Sequence, residues 1–410
     1  MLMETVELPV AWSNLKSEAE NLLQLQGVPD KKHEEYKYCD ISRYWSEDFL
    51  HSAEAVQLSE KILSDIKKKY SAEEAFLFLF VNEVLVEYPS NPIPGLVFGT
   101  GDDERLPAPG TLAGPAEDAL LPAFYTGMKN SFFIHLADNA ALEKPLLFLH
   151  VSAGETIRGN FLHKRIFAGK RASCTIKQVF CSANNQMRCV FATDEWMIQP
   201  EANVNSIRIQ EENPQTLVLH HLVSSIDTQA RFSDFLLTLE GKVIRNNTRG
   251  ILHGRFAECH LYGLYLTHDA MLADNHTLVD HRIRDCYSNE LYKGILDGKS
   301  IAVFNGKIFV RKDAQKTNAY QSNRNILLSQ NATINTKPQL EIFADDVKCS
   351  HGTSTGRLDD AAMFYLKSRG IGYNNAKKLL LIAFADEMAE KIPSESDRTF
   401  VRNILESRLT

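Results

Sequence analysis

Apolar positions near the start of the chain recur every three or four places, and Trp12, Leu15, Ala19, Leu22 and Leu23 share one side of a predicted helix. Gly27 and Pro29 then stop it. A second stripe, Val56, Ile62, Leu63 and Ile66, predicts an amphipathic helix over about Ser52 to Tyr70. Its basic end, Lys67 to Lys69, suits a helix C-terminus and reads as a solvated face. From Pro89 to Pro115 the chain holds six prolines and five glycines, which predict a long irregular connection because proline removes a backbone donor and both residues favour turns.

From about Lys144 to Asp346 the texture changes to short apolar runs, alternating or continuous, separated by polar turns. Ser206 to Gln210, Leu217 to Val223, Phe235 to Leu239, Cys259 to Leu266 and Ile301 to Val310 all read as strands. Their separation fits one or two rungs of a β-solenoid, but no crisp repeat is visible and a sandwich would show similar spacing. Some two hundred residues of strand without a helix favour the solenoid, since a sandwich of that size normally splits into domains.

Helical patterning returns after Arg357. Asp359 or Asp360 can cap a helix through Lys367, and Gly370 and Gly372 break it. Ala376, Leu379, Leu380, Ala383, Phe384 and Met388 then form a second stripe. Pro393 precedes a last short helix with Phe400, Ile404 and Leu405 inward. The predicted organisation is a helical and irregular cap over 1–143, a β core over 144–356 and a helical module over 357–410.

Composition is ordinary, at 44% hydrophobic and 24% charged, and the net charge of -7 with a pI near 6.0 offers no basic footprint for a phosphate backbone. Nucleic acid is not an expected partner. Met1 to Val10 carries Glu4 and Glu7 without the apolar core of a secretory leader, and no run approaches the ~20 apolar residues that span a bilayer. Seven cysteines, an odd number without framework spacing, read as free thiols. A cytoplasmic location away from membranes is the expectation.

Most candidate chemistry dissolves on inspection. Gly294 to Ser300 resembles a phosphate-cradling loop, but only three residues separate its glycines where four are needed, and no helix follows. Gly99 and Gly101 begin a dinucleotide fingerprint that acidic residues interrupt. His276, Asp280, His281 and Cys286 are potential metal donors at a spacing that matches no motif, and on a strand Asp280 and His281 face opposite ways. The adjacent His220 and His221 fail for the same reason. Cys349 and His351 differ: two residues apart in an extended segment, they project from one face, where thiolate and imidazole can share a soft metal.

The residues around that pair resemble a known family. Thr336-Lys337-Pro338-Gln339-Leu340-Glu341-Ile342, followed by Ala344-Asp345-Asp346-Val347-Lys348-Cys349-Ser350-His351-Gly352, is similar to the signature of the SufD family. So are Lys293 to Leu296 with Ala302 to Gly306 upstream, Phe364 to Leu366 with Ser368 to Ile371 downstream, and the early Lys32-His33-Glu34-Glu35-Tyr36-Lys37-Tyr38. The likeness is dense from about His281 to Ala385. The paralogous SufB family typically carries a Glu-His-Glu-Ala type segment where this chain has Lys348 to Gly352.

The resemblance implies a mainly β fold, a right-handed parallel β-helix between helical ends. It implies a scaffold that pairs with SufB through the late β-helix and docks the ATPase SufC on the C-terminal helices, about Asp359 to Lys391, with Phe364, Tyr365, Arg369, Leu380 and Phe384 as contacts. It further implies that His351, and less directly Cys349, hold iron or a nascent cluster transiently at the SufB contact, with no cofactor kept by the chain alone. Competing readings are a SufB-like or stand-alone homodimeric scaffold and a carbohydrate-active β-helix enzyme. The last would need paired carboxylates such as Asp345 and Asp346 in a groove, yet neighbours on a strand face apart.

Overall fold

A computed structural model of the chain describes residues 10–53 and 56–409. The first nine residues, which carry most of the reading against a leader, lie outside them. Two parallel sheets are wound from one continuous path, the chain adding a strand to each sheet in turn. One sheet runs through Phe132–Leu136, Arg158–Ala168, Arg188–Ile198, Leu217–Ile226, Val243–Leu252, Leu272–His281, Ile301–Val310 and Thr333–Ile342. The other runs through Phe76–Val81, Leu146–Ser152, Ser173–Ser182, Asn203–Glu211, Arg231–Glu240, Glu258–Thr267, Tyr287–Leu296, Asn318–Leu327 and Lys348–Gly356. Partners stack in register, Cys189 on Leu217 and Leu217 on Val243. The fold is a parallel β-solenoid of about eight turns flanked by helices.

Alternate residues of each strand face inward and fill the space between the sheets with Phe78, Phe148, Ile176, Trp196, Phe232, Tyr292 and Phe304. The outward faces are buried as well. Trp12, Tyr36, Phe49 and Phe124 cover Phe161, Phe191, Leu219 and Leu272 on the first sheet. Leu381, Met388, Phe400 and Ile404 cover Val179, Ile207, Phe235 and Leu291 on the second. Burial on both faces explains why many strands read as continuous apolar runs.

The repeat that the residues conceal is written in the backbone. Arg171, Glu201, Gln229, Phe256, Asp285 and Lys316 all adopt a left-handed conformation, with φ from 56° to 65°, at the same corner of successive turns. The amide of Arg171 donates to Pro200 O at 3.0 Å, that of Glu201 to Thr228 O at 2.9 Å and that of Asp285 to Gln315 O at 2.9 Å, each reaching the next turn. This bond ladder offsets the cost of a left-handed non-glycine residue and accepts any side chain.

Strand structure begins earlier than the change of texture at Lys144 suggests. Phe76–Val81 is six consecutive apolar residues, too short and too uniform to show a period. Within the proline-rich connection Leu96–Thr100 forms a strand antiparallel to Phe132–Leu136. The second helix is shorter than expected, Glu60–Lys69, because Ser59 caps it by accepting from the Ile62 amide at 3.4 Å and leaves Val56 in the preceding loop. The C-terminal helices are Asp360–Ser368, Tyr373–Ala389 and Glu395–Arg408, with Asp359 capping the first. No described helix is long and apolar enough to cross a membrane.

Charged groups are also buried between the sheets. Lys164 Nζ lies 3.0 Å from Asp194 Oδ1, and His220 Nε2 lies 3.1 Å from Asp194 Oδ2. Arg208 grips Asp234 with two guanidinium nitrogens, its Nε at 2.9 Å. Burial pushes the Asp194 carboxyl up, but Lys164, His220 and Gln178 together hold it well below the usual carboxylate range.

Candidate functional site

The two ends of the solenoid are finished differently. At the start, short antiparallel strands close both sheets: Val84–Glu87 lies on Phe76–Val81 and Leu96–Thr100 on Phe132–Leu136. At the other end Thr333–Ile342 and Lys348–Gly356 are the last strands of their sheets, and no described strand pairs with their outer edges. Every residue of both is half-buried or exposed, and Ile342 and Phe343 stand in solvent. Rows of unpaired N–H and C=O groups over ten and nine residues are a template for another chain.

Cys349 and His351 sit on the last strand, stacked on Ala319 and Gln321 of the turn before, and their two-residue spacing sends both toward the line of the interior. Cys349 packs half-buried against Ile308, Val310 and Ala314, and burial pushes its thiol up. The six other cysteines are fully buried, so Cys349 alone presents a thiol near the surface. His351 is exposed because no turn covers it. Among the described residues no three His, Cys, Asp or Glu side chains gather so as to hold a metal ion.

The histidine group read from the sequence is dispersed. His276 faces outward, its Nε2 2.9 Å from Asp274 Oδ1 and its Nδ1 3.3 Å from Glu35 Oε2. Asp280 binds Arg282 and Arg311 on the outer face, His281 meets Ser288 Oγ at 2.9 Å inside, and the Cys286 thiol points to Gly254 O. His220 lies inside and is held by Asp194, whereas its neighbour His221 faces the other way against the N-terminal cap. Gly298, at φ 64°, makes the turn between Tyr287–Leu296 and Ile301–Val310. Asp345 and Asp346 lie in an exposed turn rather than on a strand.

The C-terminal contacts divide into two groups. Phe364 and Tyr365 are 74% and 57% exposed, and Arg369 stacks its guanidinium 5.3 Å from the Tyr365 ring centre. Leu380 is half-buried, and Phe384 packs on the solenoid, where Lys293 Nζ lies 4.3 Å from its ring centre and donates to its carbonyl at 2.8 Å and to Glu387 at 2.5 Å. Phe384 therefore fastens the helices, while Phe364 and Tyr365, with the exposed Tyr373 and Leu379, face outward. Helical periodicity located the stripes without saying which one the solenoid takes.

Residues 150–384, more than half of the chain, match the family model described as SUF system FeS cluster assembly, SufBD core domain. The chain is 30% identical over 390 residues to the iron-sulfur cluster assembly protein SufD of Escherichia coli (strain K12), covering 90% of this chain and 86% of the relative. This chain belongs to the SufD family. It is also 27% identical over 423 residues to an iron-sulfur cluster assembly SufBD family protein of Synechocystis, covering 96% and 90% of the two chains. The chloroplastic protein ABCI7 of Arabidopsis thaliana is 26% identical over 404 residues, covering 94% and 84%. The family's role lies in iron–sulfur cluster assembly.

Membership places the matched core across the open end, with both Cys349 and His351 inside it. The early Lys32 to Tyr38 segment runs along the first sheet toward that end: Tyr36 lies under the Arg245 guanidinium at 3.8 Å, Glu35 meets Asn305 at 3.1 Å, and Glu34 meets Lys337 on the last strand at 2.8 Å. Below His351 a polar stack escaped the sequence reading. Gln321 Nε2 donates to Glu290 Oε1 at 3.3 Å, and Thr277 donates to the other Glu290 oxygen. Burial pushes the Glu290 carboxyl up to about 7. Glu290, Gln321 and His351 stand one above another, a relation visible only once the register of the turns is known.

Proposed function

We propose that this SufD-family chain is a non-catalytic scaffold subunit of a cluster-assembly complex, joined to SufB through its last solenoid turn and to the ATPase SufC through its C-terminal helices. The observation that carries the reading is the unclosed final turn: two free strand edges bracket a thiol and an imidazole. Iron accepts sulfur and imidazole donors together, and the usual iron–sulfur cluster is held by four protein ligands. Two donors at an open edge suit a ligand set completed by another subunit, and such a set can be opened by moving the subunits apart. Iron and the nascent cluster are cargo here. The same edges would let the chain pair with itself where SufB is absent.

Two tests follow from this reading. His351→Ala alters an exposed side chain, so folding is expected to be unchanged while cluster formation by the co-expressed complex with SufB and SufC falls about tenfold, a loss of ligation comparable to other metal-site losses. An unchanged cluster yield would remove His351 from the site. Phe364→Asp is expected to weaken SufC binding by about 2 kcal/mol, roughly thirtyfold in Kd, with no change in the Tm of the chain. Isothermal titration with purified SufC reads this directly, and an unaltered Kd would move the dock elsewhere.

A further inference from the structure

We infer that Gln321 is a positioning residue for His351: its side-chain oxygen, unpartnered as the chain stands, is placed to accept the imidazole N–H, which would leave the other ring nitrogen aimed at the open end. The consequence for iron rests on the reading of His351 as a ligand; the placement of the ring does not. Gln321 is 3% exposed, and its Nε2 is committed to Glu290 Oε1 at 3.3 Å. Its Oε1 is buried and has no hydrogen-bond partner. A buried acceptor left unsatisfied is disfavoured, so a donor is called for at that atom.

The amide lies across Gly306 of the facing sheet, where a Cβ would come within 2.2 Å of Gln321 Nε2, so a larger residue at 306 would displace it. With the nitrogen held toward Gly306 and Glu290, the oxygen takes the remaining side. His351 is the register partner of Gln321 on the next strand, about 4.8 Å away along the ladder, and the two side chains share a face. A metal-binding imidazole ordinarily donates its second N–H to an oxygen of this kind, which fixes tautomer and ring orientation and raises the basicity of the free nitrogen. Glu290 and Thr277 anchor the glutamine in turn.

The test reads the ring without iron. In the full-length chain labelled with [15N]histidine, His351, assigned by its disappearance in His351→Ala, is expected to show one protonated and one bare ring nitrogen. Gln321→Met is expected to average the two. So is Gly306→Ala, which keeps the glutamine but displaces its amide. An averaged ring in the parent chain, or a separated one in both Gln321→Met and Gly306→Ala, overturns the inference. Iron(II) affinity of the complex with SufB and SufC is expected to fall 10–100-fold in Gln321→Met. Loss of ring order with unchanged iron affinity would leave the positioning role standing and overturn instead the assignment of His351 as a ligand.

Discussion

Asp234→Ala is expected to lower the unfolding free energy by about 3–5 kcal/mol, because it leaves the Arg208 guanidinium without its counter-charge in the middle of the solenoid. Both side chains are fully buried, and the pair is bidentate, so removing the carboxylate leaves the guanidinium without a direct counter-charge and out of reach of water. The remaining bonds of Arg208, to Thr248 Oγ1 at 3.0 Å and His220 Nδ1 at 3.3 Å, are to uncharged partners. Replacing both members, Arg208→Met with Asp234→Leu, is expected to recover most of the loss, since burying the pair carries a large desolvation cost that apolar side chains avoid. Urea unfolding of the single and double variants checks this. A double variant as unstable as the single one would mean that the site depends on shape rather than on charge.

Glu290→Gln is expected to stabilise the chain at high pH and to do little at low pH. The carboxyl is ordinarily near 4.5, and burial with only Thr277 and Gln321 as partners pushes it up to about 7 in the fold. Between those values the folded chain binds a proton that the unfolded chain lacks. This contribution to stability is therefore complete below about pH 4.5 and is lost as pH rises through about 7. The difference corresponds to about 3 kcal/mol. Glutamine keeps an acceptor for Gln321 and cannot ionise, so the variant should match the parent near pH 4.5 and exceed it by about that amount at pH 8. Thermal or urea unfolding at the two pH values is the measurement, and equal stability at pH 8 would show that the Glu290 charge is compensated in the folded state.

How much of this was legible beforehand depends on what each feature leaves in the residue order. Local features left clear marks. Ser206 to Gln210 read as a strand from the alternation of Ile207 and Ile209 with polar neighbours, and the helix after Asp359 read from its cap and its stripe, because the face a strand or helix buries and the residue that caps it are set by near neighbours in sequence. Phe76–Val81 left no mark, since a strand buried on both faces has no polar face to alternate with. The turn repeat left none either, because its corner is a backbone conformation held by a bond to the next turn, which Arg171, Glu201, Gln229 and Lys316 satisfy equally well.

The candidate site shows the same division. That Cys349 and His351 share a face follows from the period of a strand, and the local sequence around them carries the family likeness. That they stand at an uncapped end, that Glu290 and Gln321 lie beneath them, and that Phe384 fastens the helices while Phe364 faces solvent are all products of winding. The sequence by itself determined the main run of strands, the C-terminal helices and which donors are neighbours along one strand. Only the tertiary structure decided which residues a whole turn apart meet, and which edges and faces stay open, because those depend on the register between turns and on where the chain leaves the solenoid for the C-terminal helices.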